Sequence, residues 1–435
     1  MIRLVTTAIA LLIVVSVSAQ KSLSFRELHQ IEPKQLQQDF DQLVTIMQQH
    51  PARTVFTSEA EWKMIIDEQK AKLISPMTAP QFFDVCAQVI YRIRCGHTGL
   101  DLPDNFWKKG DQALFPIPVI IVNDSIFVRQ DTHPEIPKGS HIVKINGNLS
   151  NEILRRLQTY ISGDGMNATW KISRLNQSLN NFVSLHFNFE QQYEVTYKTR
   201  KGMEKTIALP AVRSGEFSNP QTSKEPLTYE LLKPGHTAVI GIHSFNYYRK
   251  DTVKFYHTIN DFFTKVKSDN VKNLILDLRG NTGGDPFSAT HLLSYLERKP
   301  FIYYGETYDW CKNLSQPYPL KAKRFQGNLY VLTDGFCFST TTHLLSVMKV
   351  NKVGTTIGEE AGGTYTCNDS GKWFELKNSG LRLRMARVSF KTTADSLPRD
   401  KGVLPDHKVK VNSGDVLAGR DIVMEYALRL AGVQE

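Results

Sequence analysis

The sequence predicts a mixed α/β protein, with a helical N-terminal domain, a β-rich middle domain and a final α/β domain built on a mostly parallel sheet. Three patterns carry that reading. Ile31, Leu36, Phe40, Leu43, Ile46 and Met47 recur mostly at three- and four-residue steps, and Phe82, Phe83, Cys86, Val89 and Ile90 repeat the spacing, as half-buried helices require. Short apolar runs joined by turn residues follow, Pro118–Val122 and Ser125–Val128 around Asn123-Asp124, which reads as a hairpin. The second half alternates strands with amphipathic helices, the signature of a parallel sheet covered on its faces. With 435 residues the chain suits two or three cores of common size.

The elements divide the chain as follows. Residues 1–19 combine Arg3, an apolar run from Leu4 to Val17 and small residues before Gln20, the pattern of a cleaved signal peptide, shorter than the roughly 20 apolar residues of a membrane span. Residues 20–103 form the helical domain, punctuated by Pro51 and Pro76 and ending in Gly96-His97-Thr98. In residues 104–213, a strand ending in Ile145-Asn146-Gly147 feeds a helix around Ile153, Leu154 and Leu157, which resembles the middle of a PDZ domain without its Gly-Leu-Gly-Phe loop. The segment from Gln192 to Leu209 reads as a strand pair around Lys201-Gly202, and residues 214–227 as a polar linker. Residues 228–435 are the α/β domain, with strands at Thr237–Ile242, Asn273–Leu278 and Leu329–Leu332. Asp251 is expected to cap one helix, and Pro286 to open another.

Composition narrows the function. Lys and Arg number 53 against 43 Asp and Glu, a formal charge of +10, but the basic residues are scattered, so a solvated surface is expected in place of a nucleic-acid site. No cysteine precedes Cys86, so no lipobox cysteine is available and a soluble periplasmic or secreted protein is expected. Cys86, Cys95, Cys311, Cys337 and Cys367 are read as buried thiols or, for Cys86 and Cys95, a bridge. No Cys-x-x-Cys or His-x-x-x-His spacing suggests zinc, and no metal or organic cofactor is implied.

Two segments carry chemistry. Leu276-Asp277-Leu278-Arg279-Gly280-Asn281-Thr282-Gly283-Gly284 places adjacent glycines where a buried strand turns, either a tight turn or a cradle of N–H groups for a developing negative charge. It lacks the Gly-Lys-Ser/Thr of a phosphate loop. In Leu332-Thr333-Asp334-Gly335-Phe336-Cys337-Phe338-Ser339, a serine stands at a strand-to-helix junction, where it either caps the helix or presents a nucleophile. Both lie at the carboxyl ends of adjacent predicted strands, where open α/β sheets bind ligands.

These two motifs, with Ile357-Gly358-Glu359-Glu360-Ala361-Gly362-Gly363 and Gly402-Val403-Leu404-Pro405-Asp406 in the same order, resemble the C-terminal processing (tail-specific) proteases and tricorn core, over nearly all of the mature chain. The resemblance implies a serine-type endopeptidase acting on peptides or proteins, with Ser339 as nucleophile and the amides of Gly283 and Thr340 as oxyanion hole. Gly362-Gly363-Thr364 carries no lysine where the lysine-using members have one, so the chain is similar to the histidine-using branch, with His97 of Gly96-His97-Thr98 as general base. His343, one turn after Ser339, and His407 are the rival bases. Tricorn-like members place a glutamate where Arg399-Asp400 stands here, so Asp400 is the first candidate for the orienting acid, and Glu359 or Glu360 the second. The alternatives are a non-catalytic module binding peptide or apolar ligand on the same fold, or an esterase or amidase.

Overall fold

The computed structural model describes residues 25–217, 224–232 and 236–433; the expected signal peptide and part of the expected linker lie outside them. The chain opens with α1 (Pro33–Met47), α2 (Glu59–Lys70) and α3 (Ala79–Tyr91). Ser58 with Glu61 and Thr78 with Gln81 form reciprocal capping boxes that fix where α2 and α3 begin. Phe82, Phe83, Cys86, Val89 and Ile90 lie on the buried side of α3, as their spacing predicts. The chain then runs through Gly96-His97-Thr98 into the short strand β1 (Gly99–Asp101).

The middle of the chain is a sheet flanked by helices. β2 (Val119–Val122) and β3 (Ser125–Val128) are joined by Asn123 and Asp124 at φ 48 and 58, the positive values that a type I′ hairpin needs. β4 (His141–Ile145), α4 (Ser150–Gln158), α5 (Thr169–Gln177), α6 (Leu179–His186), β5 (Gln192–Lys198) and β6 (Glu204–Pro210) follow. The strands lie in the order β6-β5-β4-β3-β2, with Asn148–Leu149 added against β4. β2 is therefore an edge, and α5–α6 seal it with side chains. Asn176 bonds both the N–H and the carbonyl of Ile121 (2.7 and 3.0 Å), Asn180 donates to the carbonyls of Phe115 and Ile117 (2.8 and 2.7 Å), and Ser184 accepts from Phe115 N–H (2.8 Å). A peptide adding as a further strand would find these groups taken.

The last part holds a six-stranded sheet. β7 (Leu227–Leu232) pairs antiparallel with β8 (Thr237–Ile242), and the rest is parallel: β9 (Asn273–Asp277), β10 (Asn328–Thr333), β11 (Thr355–Gly358) and, outermost, a two-residue strand at His407–Lys408. α7 (Lys250–Ser268), α8 (Pro286–Leu293) and α9 (Thr340–Asn351) connect these strands. Asp285 caps α8 ahead of Pro286, whereas α7 begins at Lys250, so Asp251 falls inside its first turn and makes no cap.

The cores do not follow the expected boundary at residue 103. One hydrophobic cluster runs from Leu36 to Ala211, so helical and middle segments share it; a second fills the α/β layer. The first also takes in Leu376, Leu381, Leu383 and Met385 from the α/β portion. There β12 (Thr366–Asp369) is followed by the hairpin β13 (Lys372–Glu375) and β14 (Arg382–Met385), and by β15 (Val388–Lys391), the partner of β12. β14 pairs with β1, setting Arg384 opposite Gly99. Each of those fully buried leucines is worth about 1.5–3 kcal/mol, so the hairpin grips the segment bearing His97 firmly. Among the described residues no helix is long and apolar enough to cross a membrane.

Candidate active site

β10 ends at Thr333, and the turn Asp334-Gly335 delivers Ser339 to the start of α9. Ser339 stands at φ 54, ψ −127, a conformation that costs a non-glycine residue about 1–3 kcal/mol. Its hydroxyl makes no capping bond to α9, so the capping alternative does not hold. Ser339 Oγ instead lies 3.0 Å from His97 Nε2, across 242 residues of sequence. The strained elbow is tied to the glycine loop by Phe338 N–H donating to the Asn281 carbonyl at 3.2 Å.

His97 is held through its neighbours. Gly96 N–H donates to Asp164 Oδ1 at 2.8 Å, and Arg384 donates to the His97 carbonyl. Thr98 Oγ1 accepts from Ala386 N–H at 3.1 Å and meets His50 Nε2 at 2.9 Å. The imidazole lies against Phe338 with ring centres 4.7 Å apart, and Phe338 stacks on Trp170 at 4.0 Å. Gly96 permits this packing, because a Cβ there would come 2.5 Å from Phe338 Cζ. Burial pushes the His97 pKa down to about 4; Asp369 opposes the shift and Arg384 adds to it. The ring is therefore neutral at ordinary pH, the form a general base needs.

The acid beside His97 differs from those expected. Asp369, at the end of β12, sets Oδ2 3.8 Å from His97 Nε2 and is held by Arg384, whose guanidinium donates to Oδ1 at 2.5 Å. Burial raises the Asp369 carboxyl, but His97 and Arg384 outweigh it and leave it below its ordinary value. Asp400 instead offers its carbonyl to Met166 N–H at 2.8 Å. Glu360 holds Gly402 N–H at 2.8 Å and Asn167 at 3.0 Å, and Glu359 lies between Asp334 and Lys408, where burial raises its pKa. The sequence placed the acid by the family's position, and the backbone there packs on Gly165 instead of presenting a carboxylate to the ring. Asp369 faces the serine-bonded nitrogen. His97 Nδ1 is buried without a hydrogen-bond partner among the described residues, as is Asp164 Oδ2. Burial lifts the Asp164 carboxyl to about 7.

The expected oxyanion donors differ from each other. Thr340 N–H opens α9, where the helix dipole favours negative charge. Gly283 packs on the elbow: a Cβ there would lie 2.8 Å from Ser339 Cβ, and its φ of +101 suits glycine. Its N–H, however, already donates to Asn281 Oδ1 at 2.9 Å. The rival bases sit elsewhere. His343 is fully buried and pushed down to about 3 by burial; its backbone N–H bonds the Ser339 carbonyl, and its imidazole Nε2 has no hydrogen-bond partner among the described residues. His407 meets Tyr426 OH at 3.0 Å on the sheet's outer strand.

Asp369, Arg384, Asp164 and Trp170 escaped the sequence reading. Asp369-Ser370-Gly371 looks like any turn between strands, and only the pairing of β14 with β1 brings it to His97. All five cysteines are buried free thiols, and no metal-binding cluster occurs among the described residues.

Residues 236–409 match the model of peptidase family S41. No curated protein matches the chain. Among solved structures, mature CPAF complexed with lactacystin is similar over 92% of this chain and 98% of its own, at 14% identity and TM-score 0.64. A peptidase from Parabacteroides merdae ATCC 43184, termed putative in its description, is similar over 92% of this chain and 97% of its own, at 15% identity and TM-score 0.50. These likenesses concern fold. The family match and the motifs around Gly283 and Ser339 identify residues 236–409 as a peptidase family S41 domain.

Proposed function

We propose that this chain is an exported serine peptidase that hydrolyses peptide bonds through an acyl-enzyme on Ser339, with His97 as general base. The observation that carries the reading is the 3.0 Å approach of Ser339 Oγ to a neutral His97 Nε2. The signal-type pattern at residues 1–19 supports export.

In the first step Ser339 Oγ attacks the peptide carbonyl and passes its proton to His97 Nε2. The new oxyanion takes the Thr340 N–H, and Gly283 N–H joins when the charged oxygen displaces Asn281 Oδ1. Losing one such donor typically costs about 10²–10³ in kcat. The C–N bond then breaks as His97 returns the proton to the leaving amine. Water attacks the ester in the second step, with His97 taking its proton and giving it back to Ser339 Oγ as the acid product leaves. Asp369, 3.8 Å from Nε2, stabilises the imidazolium electrostatically. The base tautomer carries its proton on Nδ1, so ring orientation rests on the Phe338 stack and the backbone anchors at Gly96 and Thr98.

Labelling with a fluorophosphonate tests the reading. The native chain should label, and Ser339→Ala and His97→Ala should not; a folded native chain that takes no label, and cleaves no peptide, would refute it.

A further inference from the structure

A cleft of about 610 Å³ opens beside His97, within the roughly 300–1,000 Å³ range of ligand pockets. It shares His97, Thr282 and Phe338 with the catalytic centre. Thr282 adjoins Gly283 and Phe338 precedes Ser339, so a chain whose carbonyl lies over Ser339 Oγ passes the cleft mouth. The lining is mixed: Phe83, Tyr160, Trp170, Phe182 and Leu185 give it aromatic and aliphatic surface, and Thr98, Ser162, Gln177 and Asn181 give it polar surface. Charged groups, Arg174, Asp101 and Arg384, stand among the lining as well. Arg384 is already paired with Asp369, and exposed Arg174 lies over the Trp170 ring at 5.6 Å.

The wall is fixed before any substrate arrives. α5 and α6 turn Asn176, Asn180 and Ser184 to the edge of β2, and turn Arg174, Ser178, Asn181, Phe182 and Leu185 to the cleft. One helical pair therefore closes the strand-adding edge of the middle sheet and builds the side of the active-site cleft.

We propose that this cleft is a specificity subsite for a large apolar side chain, aromatic or of leucine or methionine size, on a residue flanking the scissile bond. The proposal rests on the peptidase reading above. The aromatic and aliphatic part of the lining gains most from a side chain large enough to cover it and little from alanine or glycine.

The test digests a complex peptide mixture with the full native chain, using Ser339→Ala as blank, and sequences the cut sites by mass spectrometry. Phe, Tyr, Leu and Met should be enriched at one position within two residues of the cut. Asn181→Trp, from a half-buried wall position, should lower the kcat/KM ratio of a Phe-bearing over an Ala-bearing peptide by at least about 10-fold. Phe182→Ala should lower the same ratio more modestly. Cleavage indifferent to apolar size, or variants that leave the ratio unchanged, would overturn the subsite alone. A native chain with neither fluorophosphonate labelling nor cleavage would overturn the peptidase reading and the subsite with it.

Discussion

The two halves of the active site are built by different means. The Ser339 half is local: a parallel strand, a turn, a strained residue and a helix follow each other within about twenty residues of sequence. The His97 half has almost no local support, since the residue lies in a turn between α3 and the three-residue strand β1. Asp164, Phe338, Asp369, Arg384 and Ala386 hold it, every one remote in sequence. A nucleophile can thus be written into a short motif, whereas the base depends on two hydrophobic cores being locked in register by the β13–β14 hairpin.

Substitutions can break that comparison at either half. The largest loss should come from Ser339→Ala or His97→Ala, each lowering kcat by about 10⁴-fold or more, with the double variant scarcely worse than either single one, as measured on a peptide substrate. Independent, additive losses would mean the two residues do not act as a unit. Next comes Gly96→Ala, whose Cβ would press on Phe338 and displace either that ring or the imidazole. A misplacement of about 1 Å can cost roughly 100-fold, so kcat should fall by about that much while circular dichroism stays native. The parallel change Gly99→Ala has open space at its Cβ position and should be close to neutral.

Asp369→Asn sharpens the role of the acid. Because Asp369 stands on the Nε2 side and not behind Nδ1, its loss should cost about 10-fold in kcat, less than the roughly 10⁴-fold known for an acid that fixes the tautomer. It also removes the group that raises the His97 pKa, so the acid limb of the rate profile should move to lower pH. A loss near 10⁴-fold, or a limb moving upward, would show that Asp369 orients the ring. The smallest catalytic effect is expected from Asn180→Ala, which leaves the buried carbonyls of Phe115 and Ile117 unpaired. It should reduce stability by about 1–3 kcal/mol and lower the thermal midpoint, with fluorophosphonate labelling intact.

The same division explains what the sequence disclosed. The strands at Thr237–Ile242 and Asn273–Asp277 and the hairpin at Asn123-Asp124 follow from apolar runs and turn chemistry, and the structure contains them. The Gly283 and Ser339 motifs were legible for the same reason, because strand, loop and helix signals surround each. His97 was singled out by family likeness, and nothing in its own neighbourhood of sequence would have done so. Asp369 and Arg384 were illegible because their position depends on which strand pairs with β1, a choice made by core packing at Leu376, Leu381 and Leu383. The bond on the Gly283 amide was illegible for a similar reason: Asn281 turns its side chain back onto that amide, and also donates to the Ile242 carbonyl.

The second-order rate of fluorophosphonate labelling at Ser339, followed from pH 3 to pH 9, tests the pairing of the two halves most directly. Neutral His97 is the reactive form and its pKa is depressed to about 4, so the rate should rise with pH to a midpoint well below 6.5, stay level above it, and vanish in His97→Ala. A rate that survives the loss of His97, or that disappears only when His343 is replaced, would contradict the account.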